Sequence, residues 1–193
     1  TLGKEVIRTS ADDAIGYIKK TMSGDVMNIK KIRVDKEGAG MGWGAVYAQY
    51  LESMDQISGQ GNGLSVSRQL YKGDEALNES APLKVGDKIT VRLTIKADRD
   101  MDFVQIKDDR AACMEPLQAV SGFRWSNGLG YYQATKDAST QFFIDQMRKG
   151  TYVIEYQVYV NRTGEYQAGI ATVQSAYAPE FGGHTGGYRV MVE

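Results

Sequence analysis

Between Tyr152 and Val160 every second residue is apolar: Tyr152, Ile154, Tyr156, Val158 and Val160. Glu155 and Gln157 fall between them, with Val153 and Tyr159 as the exceptions. Side chains alternate across a strand, so this spacing predicts a β-strand with one face in a core. Asn161-Arg162-Thr163-Gly164 supplies turn chemistry, and Glu165 to Gln174 reads as a second strand. The two predict an antiparallel hairpin closed by a Gly-containing loop. In the following Tyr177-Ala178-Pro179-Glu180-Phe181, Pro179 is expected to end strand pairing, and Gly182-Gly183 to loosen the backbone.

The same period recurs upstream. Ile89, Val91, Leu93 and Ile95 alternate with Thr90, Arg92, Thr94 and Lys96, the cleanest half-buried strand in the chain. Val85-Gly86-Asp87-Lys88 is a turn into it. Strands are also predicted over 64–71, 101–107, 131–135, 140–145 and 188–192. That makes about seven strands after residue 63, and short strands at such spacing predict an antiparallel β-sandwich. The first third is less regular. A short strand is expected around Glu5-Val6-Ile7, and a weak one over Asn28 to Lys36. Ser10 to Met22 fits helix or strand: Ser10 and Asp13 resemble a capping box, while Gly16 disfavours a helix interior. Gly38-x-Gly40-x-Gly42 leads into a predicted strand, Trp43 to Tyr50, that turns helical near Ser53 to Ile57. Ser58-Gly59-Gln60-Gly61-Asn62-Gly63 reads as a loop and marks a domain boundary, giving modules 1–62 and 63–193. The fold class is thus mostly all-β.

Composition narrows the function. A chain of 193 residues buries roughly 70% of its unfolded surface and needs no staples to fold. Its 23 basic and 24 acidic residues nearly cancel, which removes the attraction that drives binding to nucleic-acid backbones or anionic lipid. No apolar run approaches the ~18 residues of a membrane helix. Cys113 is the only cysteine, so the compartment is not legible from disulfides. The start at Thr1, without a signal-peptide pattern, reads as a processed protein or an excised piece of a longer one.

Residue types for catalysis are scarce. His184 is the only histidine and sits in Gly-Gly-His-Thr-Gly-Gly, read as a flexible loop unsuited to hold a general base. One Cys and one His do not make a zinc site. Asp98, Asp100 and Asp102, and the pair Asp108 and Asp109, lack the calcium-loop pattern and read as charged turns. The glycines at 38–44 lack the strand–helix context of a dinucleotide site. Cys113, flanked by Ala112 and Met114, reads as a small buried hydrophobe. No cofactor or metal is expected. Among 12 Tyr and 2 Trp, Tyr132, Tyr159 and Trp125 are candidates for a sugar-stacking platform.

Trp43-Gly44-Ala45-Val46-Tyr47-Ala48-Gln49-Tyr50-Leu51-Glu52 resembles the W-G-x-x-Y-x-Q-Y-x-E segment of bacterial alpha-2-macroglobulin-like proteins. Val85-Gly86-Asp87-Lys88, Arg99 to Val104 (with Asp102), Gly128 to Tyr132, Lys136-Asp137-Ala138, Lys149 to Tyr152, Tyr166 to Ala171 and Tyr177-Ala178-Pro179-Glu180-Phe181 follow in that family's order. The resemblance implies the end of a CUB-like region over 1–62 and a terminal macroglobulin-like domain over 63–193. It further implies a parent protein of the periplasm or cell envelope that traps proteases, with this part structural rather than catalytic. Its partners would be other domains of the parent and, through the parent, target proteases. The family's signature residues here would be Trp43, Gly44, Tyr47, Gln49, Tyr50, Asp102, Tyr177, Pro179, Glu180 and Phe181. Cys113-Met114-Glu115-Pro116 imitates the start of the family's Cys-x-Glu-Gln thioester, but Pro116 replaces the acyl-donor Gln, so no thioester residue is carried over. The alternative is an independent surface adhesion or carbohydrate-binding β-sandwich.

Overall fold

The computed structural model describes residues 19–22, 32–47, 49–78 and 81–193. The chain divides into two compact units, Thr1–Gln49 and Tyr50–Glu193. In the first, residues 33–47 and 49 form no helix or strand. The strand expected over Trp43 to Tyr50 is absent at its described positions, where Trp43 and Tyr47 are about nine-tenths exposed. Aromatic content favours a strand only when a packed surface exists for it to cover. Lys19–Met22 and Arg33–Lys36 are likewise irregular. The expectations for 5–7, 10–18 and 28–31 lie outside the described residues.

The second unit opens with a 3-10 turn, Met54–Gln56, where helical structure was expected. Its strands are β1 (Gln60–Asn62), β2 (Leu64–Lys72), β3 (Glu75–Ala76), β4 (Lys88–Ala97), β5 (Met101–Asp109), β6 (Met114–Pro116), β7 (Gly122–Ser126), β8 (Leu129–Thr135), β9 (Ser139–Met147), β10 (Gly150–Val160), β11 (Gly164–Ala168), β12 (Ala171–Ser175), β13 (Gly182–His184) and β14 (Tyr188–Val192). One antiparallel sheet runs β6-β10-β4-β2-β1-β13-β12-β5-β9-β8-β7, with β3 on β2, and β11 pairs with β14 separately. The long sheet turns back at β1 and β13, so that β10, β4 and β2 face β5, β9 and β8. Phe142 of β9 meets Tyr156 of β10 across the gap, ring centroids 5.9 Å apart. This is the predicted sandwich.

The alternation in sequence becomes two-sidedness in space. Ile89, Val91, Leu93 and Ile95 of β4 are buried, as are Ile154, Tyr156, Val158 and Val160 of β10. A fully buried aliphatic side chain contributes roughly 1.5–3 kcal/mol, so these two strands anchor the core. They pair with each other from Gly150↔Ala97 to Tyr159↔Lys88.

That pairing corrects the predicted hairpin. With β4 on one edge of β10 and β6 on the other, no edge remains for residues 165–174. They split at Gly169–Ile170 into β11, which joins β14, and β12, which joins β5 and β13. His184 is corrected too: it lies in β13, held between β1 and β12, not in a flexible loop. The glycines here permit close approach, since a Cβ on Gly183 would stand 2.7 Å from the carbonyl oxygens of Gln60 and Leu64. The hexapeptide read as a boundary loop contains β1, and the compact unit begins at Tyr50, upstream of residue 63.

Candidate functional site

The hairpin β7–β8 turns at Asn127-Gly128, both at positive φ (50° and 77°), the backbone that a two-residue hairpin requires. Its register sets Phe123 opposite Tyr132 and Trp125 opposite Gly130, and β9 adds Phe143 opposite Tyr132. Four aromatic side chains therefore share the outer face of three adjacent strands. Phe123 and Tyr132 meet edge to face at 5.2 Å. Trp125 is 76% exposed yet laid against Gly130, where a Cβ would stand 2.9 Å from two indole carbons. One indole face thus rests on backbone and the other meets solvent. Arg124 and Asp145 stand at the rim of this concavity. An aromatic surface with a charged rim suits apolar or stacking partners.

Of the residues singled out in sequence, Trp125 and Tyr132 come together here, while Tyr159 lies on β10 opposite Glu115 of β6. Phe123 and Phe143 were missed. The pattern Phe-x-Trp, Asn-Gly turn, Gly-x-Tyr places 123, 125, 130 and 132 on one face, and it was available in the sequence.

The inner side of the same sheet carries a polar centre. Asp108 of β5 is wholly buried and accepts hydrogen bonds from Arg68 of β2 and from the Tyr156 hydroxyl of β10 at 2.7 Å. Arg68 also donates to the carbonyls of Asp109 and Gly169, and its guanidinium lies 4.7 Å from the Tyr188 ring centre. Burial pushes the Asp108 carboxyl up, against the pull of Arg68 and Tyr156. Burial works against the Arg68 charge, but Asp108 overrides it and holds the guanidinium above its usual range. The Tyr156 phenol is held well above its ordinary value, first by burial and then by the Asp108 charge. Every group in this centre is committed to another, so it ties the layers together and presents no free nucleophile or base.

Tyr177 to Phe181 forms the turn between β12 and β13. The Glu180 carbonyl accepts from Asn62 at 2.8 Å, Arg99 lies 4.6 Å from the Phe181 ring centre, and Tyr177 meets Phe103 edge to face at 5.1 Å. Asp102 pairs opposite Gln146 in the neighbouring β5–β9 ladder. Trp43, Gly44, Tyr47 and Gln49 belong to the first unit, and Tyr50 begins the second. Cys113 is fully buried before β6, and burial raises its thiol pKa. The carboxylates read as turn charges have local partners: Asp98 pairs with Arg99, Asp100 accepts from the Lys149 amide at 2.7 Å, and Asp109 pairs with Lys107. His184 Nδ1 lies 3.0 Å from the carbonyl of its neighbour, Thr185.

A family model described as the bacterial alpha-2-macroglobulin MG10 domain matches residues 63–180. A structure of Salmonella alpha-2-macroglobulin reacted with methylamine is 19% identical and superimposes with a TM-score of 0.58, covering 70% of this chain and 10% of that one. Trypsin-activated alpha-2-macroglobulin from Escherichia coli is 15% identical at a TM-score of 0.60, covering 71% of this chain and 11% of its own. Circularly permutated Ras protein 2 of Dictyostelium discoideum is 28% identical over 138 residues, covering 68% of this chain and 4% of that protein. This chain spans about a tenth of the length of these macroglobulins.

Proposed function

Since the chain belongs to the bacterial alpha-2-macroglobulin MG10 family through residues 63–180, we propose that it is a structural and docking domain of a larger endopeptidase inhibitor. In that reading, the unit from Tyr50 onward, which contains residues 63–193, is the terminal macroglobulin-like domain, and the residues before it are the end of a CUB-like region. The parent resides in the periplasm or cell envelope, and its other domains are the partners of this one. Proteases are met by the parent, and this domain contributes no catalytic residue. Tyr177 to Phe181 and Asp102 act as internal braces.

The observation that carries the reading is the aromatic face of Phe123, Trp125, Tyr132 and Phe143 on a domain of this family. Such a face suits burial against a neighbouring domain. The test is protection of a large protein substrate by the full-length polypeptide. Pre-incubating a protease with it should sharply slow cleavage of the substrate. Cleavage at an unchanged rate with every protease tried would end the inhibitor reading and leave the fold intact.

The open face of the Trp125 indole favours a second reading, in which a pyranose stacks there. Glycan-array binding by the 193-residue chain that disappears in Trp125→Ala would select it.

A further inference from the structure

One edge of β2 is only partly paired among the described residues. The amide of Asp98 donates to Gly63 and that of Leu77 to Leu70. These bonds set the phase of the ladder: odd-numbered residues of β2 bond β4, and even-numbered residues point their N–H and C=O the other way. On that outer edge Leu64 pairs with Asn62 of β1, and Tyr71 and Lys72 with β3. Val66 and Arg68 lie between, and their outward backbone groups have no partner among the described residues. On β14, the Gly187 amide donates to Ile57 and the Met191 carbonyl accepts from Leu83, so Arg189 also points outward. Its main chain is likewise unbonded among the described residues.

Both edges line one cleft of about 600 Å³, a volume typical of ligand sites. Consecutive residues Val66 to Leu70 line one side and Tyr188 to Val190 another, with Leu77 and Leu83 between. A sheet face would contribute every second residue; an unbroken run marks an edge. Unpaired main-chain donors and acceptors at a strand edge are a template for pairing, and main chain from another segment satisfies both.

We propose that this cleft takes up an extended segment of the larger polypeptide, lying outside these 193 residues, by strand addition between β2 and β14. The choice of occupant rests on the inhibitor-domain reading above and on the tenfold greater length of the related macroglobulins. The segment spans about four residues, ~13 Å at 3.3 Å per residue. Its alternate side chains are apolar where they meet Leu70, Leu77 and Val190.

The test is hydrogen exchange of the Val66, Arg68 and Arg189 amides in the 193-residue chain and in the full-length polypeptide. These amides should exchange about 100-fold or more slowly in the full-length protein. Val66→Pro removes an outward N–H without touching the β4 ladder, and should abolish the protection at Arg68 and Arg189. Should that variant unfold, Ser67→Cys carrying a benzophenone label provides the second measurement, since Cys113 is buried and escapes labelling. A cross-link to a peptide outside residues 1–193 supports the proposal. Equal exchange in both forms, or a cross-link to a second copy of this chain, overturns it. Source cells yielding no immunoreactive band heavier than 21.3 kDa would sink the larger-polypeptide reading itself; a heavier protein without protection sinks the strand-addition site alone.

Discussion

Phe142 and Phe143 are sequence neighbours in opposite environments: the first is 0% exposed, the second 38%. Tyr131 and Tyr132 repeat the contrast on β8, at 5% and 36%. Inside, Phe142 packs edge to face with Tyr131 at 5.7 Å and reaches Tyr156 in the opposite layer. Outside, Phe143 and Tyr132 join Phe123 and Trp125. One strand period therefore builds two surfaces from the same residue types, one buried and one exposed among the described residues. The inner face determines stability; in the proposed docking reading, the outer face serves association.

The largest expected effect separates those roles directly. Phe142→Ala should cost about 3–5 kcal/mol of unfolding free energy, whereas Phe143→Ala should stay within about 1 kcal/mol. Urea denaturation of both variants measures the difference, and equal losses would erase the distinction between the faces. Arg68→Met strands the Asp108 carboxylate in the core and should also cost about 3–5 kcal/mol. Adding Asp108→Leu should recover most of it, because no buried charge is then left unpaired.

A pH titration addresses the inner face by a different route. The Tyr156 phenol is held well above 10 by burial and by Asp108. The unfolded phenol therefore loses its proton first, near pH 10. The stability it contributes is intact below that pH and declines as pH rises toward the folded value, by about 1.4 kcal/mol per unit. Denaturation midpoints should therefore lose this component only above about pH 10, and Tyr156→Phe should remove it. The smallest effect is expected outside. Gly130→Ala would displace the Trp125 ring that a Cβ meets at 2.9 Å, with a stability change of about 1 kcal/mol or less. If Trp125 is an association residue, the same variant should weaken partner or glycan binding measured by titration calorimetry.

Faces were legible in the sequence and partners were not. The alternation in 89–96 and 152–160 identified the buried sides of β4 and β10 because burial is a property of each residue. It carried no sign that these strands pair with each other across more than fifty intervening residues, so the shorter connection to 165–174 was preferred. Glycine misled in the opposite direction. Runs at 58–63 and 182–187 read as loops, yet there the missing side chains let β1 and β13 press against neighbouring backbone. The polar centre was equally hidden: Arg68, Asp108 and Tyr156 lie in three separate strands, and Asp108 was read as a turn charge. The aromatic face was half legible, through Trp125 and Tyr132, because cross-strand register places Phe123 and Phe143 beside them.

The closure of β1 on β13 also has a consequence in time. Gln60 pairs with His184 and Asn62 with Gly182, so the seam between the layers joins the start of this unit to nearly its end. During synthesis the early strands β2 and β4 are complete long before β10, β13 and β14 emerge. Pairing at such separation is slow, and waiting strand edges are exposed to aggregation. A ribosome pausing before residue 182 would therefore leave the unit unsealed, so its final residues govern when the nascent domain becomes safe to release.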